Sequence, residues 1–213
     1  MQGRRVIMAT EKFTFEQATI IAPIINQLLT MLGAARDAFN RHSRDRLQEL
    51  QNLQGAVSQN ISTASRQVQS LISRKPEAEQ ILLRLETILS HLGTIDASLG
   101  GLADPINKKI QGAILFSDKA VAQTNYLFDQ HAGMIRSLLD IVKTDNQFLK
   151  NYVGNEGRNL VQACADYATE HQDRLIEGLC TPQAAPIFLA ILDAMRWIGQ
   201  TEVEIAKLMA EKP

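Results

Sequence analysis

The chain is poor in residues that punctuate a backbone. It has 12 glycines and 6 prolines in 213 residues, below the roughly 12% that the two types together average, and aromatic residues make up 5%. Turn-dense β sandwiches and barrels, which need a breaker every ~8–12 residues, are disfavoured by that shortage. Two cysteines occur, Cys164 and Cys180; riding one helix at about 1.5 Å per residue, their Cα atoms would stand about 24 Å apart, beyond disulfide reach. A reducing compartment fits. No sign of charge dominates either: 22 Lys and Arg against 23 Asp and Glu leave a net charge of −1, without the basic excess of a nucleic-acid binder. Nucleic acid is therefore not an expected partner.

Long apolar runs are missing too. The most apolar window, Ala18 to Leu32, holds Pro23, Asn26 and Gln27 and is short and polar against the ~20 residues of a bilayer-crossing helix. Met1 to Thr10 carries Arg4 and Arg5 without the apolar stretch of a secretory signal. The expectation is a soluble, cytoplasmic chain with no transmembrane segment. At roughly 150 residues per domain its length allows one elongated domain or two small ones.

What is present is helical periodicity. Ile21, Ile25, Leu28, Leu32, Ala35 and Phe39 step by four and three along the sequence, which a strand of period two cannot satisfy. Thr14 with Gln17 reads as a capping box for this first helix, and Phe13 as its staple. A second seam runs through Leu47, Leu50, Gln54, Val57, Ile61, Ala64, Val68 and Leu71, with Gln54 its one polar knob. Pro76-Glu77 suits the first turn of a third helix, carried by Ile81, Leu85, Ile88, Leu92, Ile95, Leu99 and Leu102 until Gly100-Gly101 and Asp104-Pro105 break it.

The second half repeats the pattern. Val121, Thr124, Phe128, His131, Ile135, Leu138 and Val142 make a fourth helix. Thr144 with Gln147 reads as the capping box of a fifth, through Val153, Leu160, Cys164 and Tyr167 to Leu175, with Gly178 as its stop. Thr181-Pro182 reads as cap and first position of a sixth, carried by Ile187, Ile191, Ala194, Ile198, Ile205 and Leu208. A shift of 106 lays Pro76 on Pro182, Leu85 on Ile191, Leu92-Gly93-Thr94 on Ile198-Gly199-Gln200 and Asp96 on Glu202, and a shift of 103 lays Met31 on Met134 and Asp37 on Asp140. The expected fold is all-α: two tandem three-helix bundles, residues 14–104 and 113–211, after a flexible N-terminus over residues 1–13.

Tandem three-helix repeats with Leu92-Gly93-Thr94 and Ile198-Gly199-Gln200 on their third helices resemble the phosphate-uptake regulator (PhoU) family over nearly the whole chain. His171-Gln172-Asp173-Arg174-Leu175 with Gly178, Ile187 to Ala206, and Ile114-Leu115-Phe116-Ser117 are similar to PhoU-like regions attached to sodium-phosphate cotransporters. The resemblance implies a cytoplasmic accessory protein, peripheral at the inner face of the membrane. Such a protein acts by contact on a membrane phosphate transporter or its sensor kinase, not by catalysis. It also implies an iron or zinc cluster, held by an acid and an Asp four residues on in each third helix. Here those positions hold Ser90 and Thr94 in the first repeat and Arg196 and Gln200 in the second. That donor set is degenerate, so no metal is expected there. Asp96 and Glu202, with Glu86 and Asp193, are the displaced candidates, against the reading that they are solvated acids beside the seam.

Other chemistry finds little support. His42, His91, His131 and His171 include no i, i+4 pair and no Glu-x-x-His, the patterns of helical metal sites. His131 on its seam reads as a buried histidine held by a partner, Cys164 as a small core residue and Trp197 as a core or edge filler. Arg41, His42, Arg44 and Arg46 around Asp45 read as a solvated corner, the other reading being a contact for an acidic partner or lipid head groups. Gly100-Gly101 has no following Lys-Ser/Thr and forms no phosphate loop. Seams of this spacing also build assemblies, so self-association into a homo-oligomer is expected, and the competing function is a helical scaffold unrelated to phosphate.

Overall fold

The computed structural model describes residues 15–210, all-helical with no strand among them. Seven α-helices follow one another: α1 (Phe15–Arg41), α2 (Arg44–Arg74), α3 (Glu79–Gly101), α4 (Ala103–Gln111), α5 (Asp118–Thr144), α6 (Gln147–Ile176) and α7 (Ala185–Ala210). Six are long and correspond to the six seams. The capping box and staple expected at Thr14 and Phe13 lie outside the described residues, as does the N-terminal segment.

The seams became the core because residues three and four apart share one helix face. Ile21, Ile25, Leu28, Leu32, Ala35 and Phe39 of α1 are all buried, as are Ile81, Leu85, Ile88, Leu92, Ile95 and Leu99 of α3. Burying one such Leu or Ile contributes roughly 1.5–3 kcal/mol, so the stripe, and not local propensity, holds each helix in place. α1 is longer than its apolar window suggested: Gln17–Arg41 is long and apolar enough to cross a membrane by length and composition. Half of its most apolar 18-residue window is buried inside the bundle.

Four local expectations are corrected. Asp104-Pro105 does not leave a loop between the repeats, because proline in a first turn forfeits no needed hydrogen bond; α4 begins at Ala103 and buries Ala103, Pro105, Ile106 and Lys109. Thr144 ends α5, donating its hydroxyl to the Asp140 carbonyl at 2.7 Å. The cap of α6 is instead Asn146, whose side-chain oxygen accepts from the amides of Phe148 and Leu149. Thr181-Pro182 lies in the turns before α7, where the Thr181 carbonyl accepts from Ala184 N at 3.0 Å. Elsewhere Gly178 follows α6 with φ +71° as its stop, while Pro76-Glu77, expected in the first turn of the third helix, forms a separate 3-10 turn, Pro76–Ala78, ahead of α3.

α1, α2 and α3 pack on one another, α5, α6 and α7 do the same, and the two sets meet where α1 lies on α5 and α3 on α7. Like helix therefore faces like helix, the arrangement of a duplicated unit packed against its copy. α4 rests on α1, α2, α3 and α7. Around it Phe39, Phe116, Phe128 and Phe188 make a chain of ring contacts, with centroids 5.4 to 6.3 Å apart, across both repeats. Arg36 of α1 reaches over α5 to grip both Asp129 oxygens, at 2.6 and 3.1 Å.

Candidate functional site

The positions of the cluster motif are built from unsuitable donors. Ser90 and Thr94 are exposed on α3, and the Thr94 hydroxyl is turned back onto the Ser90 carbonyl at 3.3 Å. Arg196 on α7 pairs with Asp193 at 2.9 Å, and Gln200 is half-buried. Two hydroxyls, a carboxamide and a permanent cation do not fit an iron or zinc cluster, which needs carboxylate, imidazole or thiolate ligands.

The displaced acids separate into two kinds. Asp193 is exposed and Glu86 half-buried, the latter accepting from Gln69 at 3.4 Å. Asp96 and Glu202, read as solvated acids, are instead buried, at 3% and 0% exposure. Each has a partner from another helix: the Ser58 hydroxyl of α2 donates to Asp96 Oδ2 at 2.5 Å, and His131 Nδ1 of α5 lies 2.8 Å from Glu202 Oε2. Burial pushes both carboxyls above the usual range, partly offset by the Ser58 hydrogen bond at Asp96 and by His131 at Glu202. Asp96 Oδ1, Glu202 Oε1 and His131 Nε2 have no hydrogen-bond partner. The four acids do not converge; among the described residues no group of three or more His, Cys, Asp and Glu side chains could hold a metal ion.

The His131–Glu202 contact joins α5 to α7, and both side chains are fully buried. His131 matches its expected role as a buried histidine with a side-chain partner. Cys164 is a core residue whose thiol burial pushes up to about 12, and such a thiol is inert. Cys180 lies beyond the end of α6, so the two cysteines do not share a helix; both are free. Trp197 is no core filler: it is 55% exposed on α7. At the basic corner, Arg41 and Arg46 both reach Asp37, and Arg46 also pairs with Glu49, while His42 takes a left-handed φ of 51° between the helices.

Two features escaped the sequence reading. Lys109 of α4 is buried, donates to the Phe39 carbonyl at 3.0 Å, contacts His42 and lies over the Phe39 ring; burial lowers its pKa to about 8. Its signal was the continuing seam Leu102, Ile106, Lys109, hidden by the supposed break. The second is a contact of backbones: a Cβ on Gly157 of α6 would stand 2.4 Å from Val203 Cγ2 and 3.1 Å from the Gly199 carbonyl of α7. A groove of about 490 Å³ between α1 and α2, lined by Thr19, Pro23, Gln27, Asn60, Thr63 and Gln67 among others, carries no charged side chain.

No protein-family profile and no curated protein matches the sequence. Solved structures do match in three dimensions. PhoU from Pseudomonas aeruginosa superposes with a TM-score of 0.83 at 12% identity, over 91% of this chain and 93% of that one. The phosphate transport system regulatory protein PhoU from Streptococcus pneumoniae gives 0.80 at 12% identity, over 92% of each chain. At that identity the likeness is one of architecture, and it extends over both repeats and their mutual packing: this chain has the PhoU fold.

Proposed function

We propose that this protein is a non-catalytic accessory regulator of phosphate transport. It docks from the cytoplasmic side onto a membrane phosphate transporter or its sensor kinase, peripheral to the membrane and without a cluster at Ser90, Thr94, Arg196 and Gln200. The observation that carries the reading is the superposition on two PhoU structures over more than nine-tenths of each chain. The full burial of the His131–Glu202 pair agrees with action by contact. Regulation then follows from differential binding: an adaptor with unequal affinity for two states of its partner shifts them, and one with equal affinity shifts nothing. The repeats, residues 14–104 and 113–211, are two halves of one adaptor because their cores are continuous.

The test is mass spectrometry of what co-purifies with the chain from detergent-solubilised native cells grown in high and in low phosphate. Recovery of a phosphate permease or its kinase, with a yield that depends on phosphate, is the expected outcome. Recovery of the chain alone would replace the regulator by a self-associating helical scaffold.

A further inference from the structure

The chain has three tyrosines, spread along one outward crevice between α5 and α6, with Tyr152 about four helical turns from Tyr167. Tyr126 of α5 and Tyr167 of α6 stand edge to face, ring centroids 6.5 Å apart. The Tyr152 hydroxyl of α6 crosses to α5, 3.9 Å from where a Cβ on Gly133 would be, an ordinary contact distance. Tyr126 is 40% exposed and the other two are half-buried; the rings are neither core nor fully in water.

Three carboxylates, Glu156, Asp166 and Glu170, lie near them. Burial first, then Glu156 and Tyr152, push up the Tyr126 hydroxyl, and burial first, then Tyr126, Glu170, Cys164 and Asp166, push up that of Tyr167. Glu170 already holds Lys119 at 2.6 Å and Arg174 at 3.6 Å. Glu156 and Asp166 accept hydrogen bonds from amides of their own helix, Asn159 at 3.2 Å and Gln162 at 2.8 Å, which leaves their charge uncancelled. A phenol face attracts cations through its quadrupole, and neighbouring carboxylates deepen that field. Tyr also concentrates at protein interfaces, where an apolar body and a wet hydroxyl are both used. The uncharged α1–α2 groove has no such means of choosing a partner.

We infer that the α5–α6 crevice is a docking surface for a lysine- or arginine-bearing segment of a protein partner. Cytoplasmic loops of membrane proteins carry an excess of Lys and Arg, so the occupant has the chemistry of the partner proposed above; the inference rests on that reading only for which protein supplies the segment. Phenol faces stack on the cationic side chains and Glu156 and Asp166 hold their charge.

The experiment titrates the full chain, with ring-labelled tyrosines, with a peptide of about twelve residues alternating arginine and serine, read by NMR and by fluorescence anisotropy. Tyrosine signals are expected to shift saturably. The double variant Tyr126→Ala/Tyr167→Ala should weaken binding about tenfold, the size of a modest cation–π contribution, whereas Tyr126→Phe/Tyr167→Phe should stay within about twofold. Glu156→Gln with Asp166→Asn, exposed or half-buried changes that spare the fold, should weaken binding and flatten its salt dependence. Unmoved tyrosine signals, or equal binding by the wild type and a double-alanine variant with unchanged circular dichroism, overturns the inference. Loss of the peptide site with transporter recovery intact removes the crevice and leaves the regulator standing; the converse removes the regulator and keeps the crevice.

Discussion

The two repeats bury an acid at the same place and satisfy it differently. In the first, Asp96 takes a hydroxyl from Ser58, an exposed residue of α2 at the edge of its bundle. In the second, Glu202 takes an imidazole from α5, with neither side chain exposed at all. The helix crossings differ in the same sense. Gly100 of α3 is covered by the amide end of Gln54, 2.0 to 2.4 Å from where a Cβ would be, whereas Gly157 is held against Val203 and a backbone carbonyl. The first repeat closes its contacts with the ends of flexible polar side chains and the second with stiff groups and backbone. A duplicated fold thus tolerates different solutions at equivalent positions, but their costs of disruption should not be equal.

The largest effect is expected at the buried pair. Removing one partner strands the other without water, so Glu202→Ala and His131→Ala should each lower stability by about 3 kcal/mol, against about 1 kcal/mol for Asp96→Ala. Urea denaturation at neutral pH measures all three, and equal losses would erase the distinction between the repeats. Gly157→Ala comes next at about 2 kcal/mol, because Val203 is β-branched and the Gly199 carbonyl belongs to a packed helix. Gly100→Ala should stay within about 0.5 kcal/mol, since Gln54 can swing aside and alanine is the better helix former.

pH sharpens the comparison further. The Glu202 carboxyl lies above its ordinary value of 4.5 in the folded chain, so the stability it contributes is full below about 4.5 and is lost as pH rises through the folded value. Wild type should therefore lose ground to Glu202→Gln as pH is raised from acid toward neutral in thermal melts. Asp96→Asn should show the same sign, starting from 3.8. Lys109, joining the repeats through α4, has the opposite dependence: with a folded value of about 8 against 10.5, its contribution is present above 10.5 and lost as pH falls through 8. Lys109→Met should gain on wild type over that interval. The smallest effect belongs to the clasp between repeats, where Arg36 and Asp129 are 40% and 56% exposed. Arg36→Ala should cost under about 1 kcal/mol, and less in high salt.

Reading the sequence recovered the six long helices because their seams extend over many turns, so a local irregularity such as Gln54 does not hide the period. It failed over residues 103–111, where Asp104-Pro105 carries the same signal for a loop as for a first turn. It placed His131 among buried partners but left Asp96 and Glu202 in solvent, since a carboxylate beside a seam looks the same whether its neighbour is water or a side chain distant in sequence. Tyr126, Tyr152 and Tyr167 are spread over more than forty residues, and only the antiparallel pairing of α5 with α6 places them along one crevice.

The sequence by itself determined that the chain is all-α, that it is duplicated, and which face of each long helix turns inward, because these depend on spacings of three and four within a single segment. The tertiary structure alone decided that like helices face each other across the repeats, and that Glu202 meets His131 and Asp96 meets Ser58. Those outcomes depend on which surfaces meet, and the contact of two helices is set by side chains and glycines tens of residues apart, whose pairing no local period records.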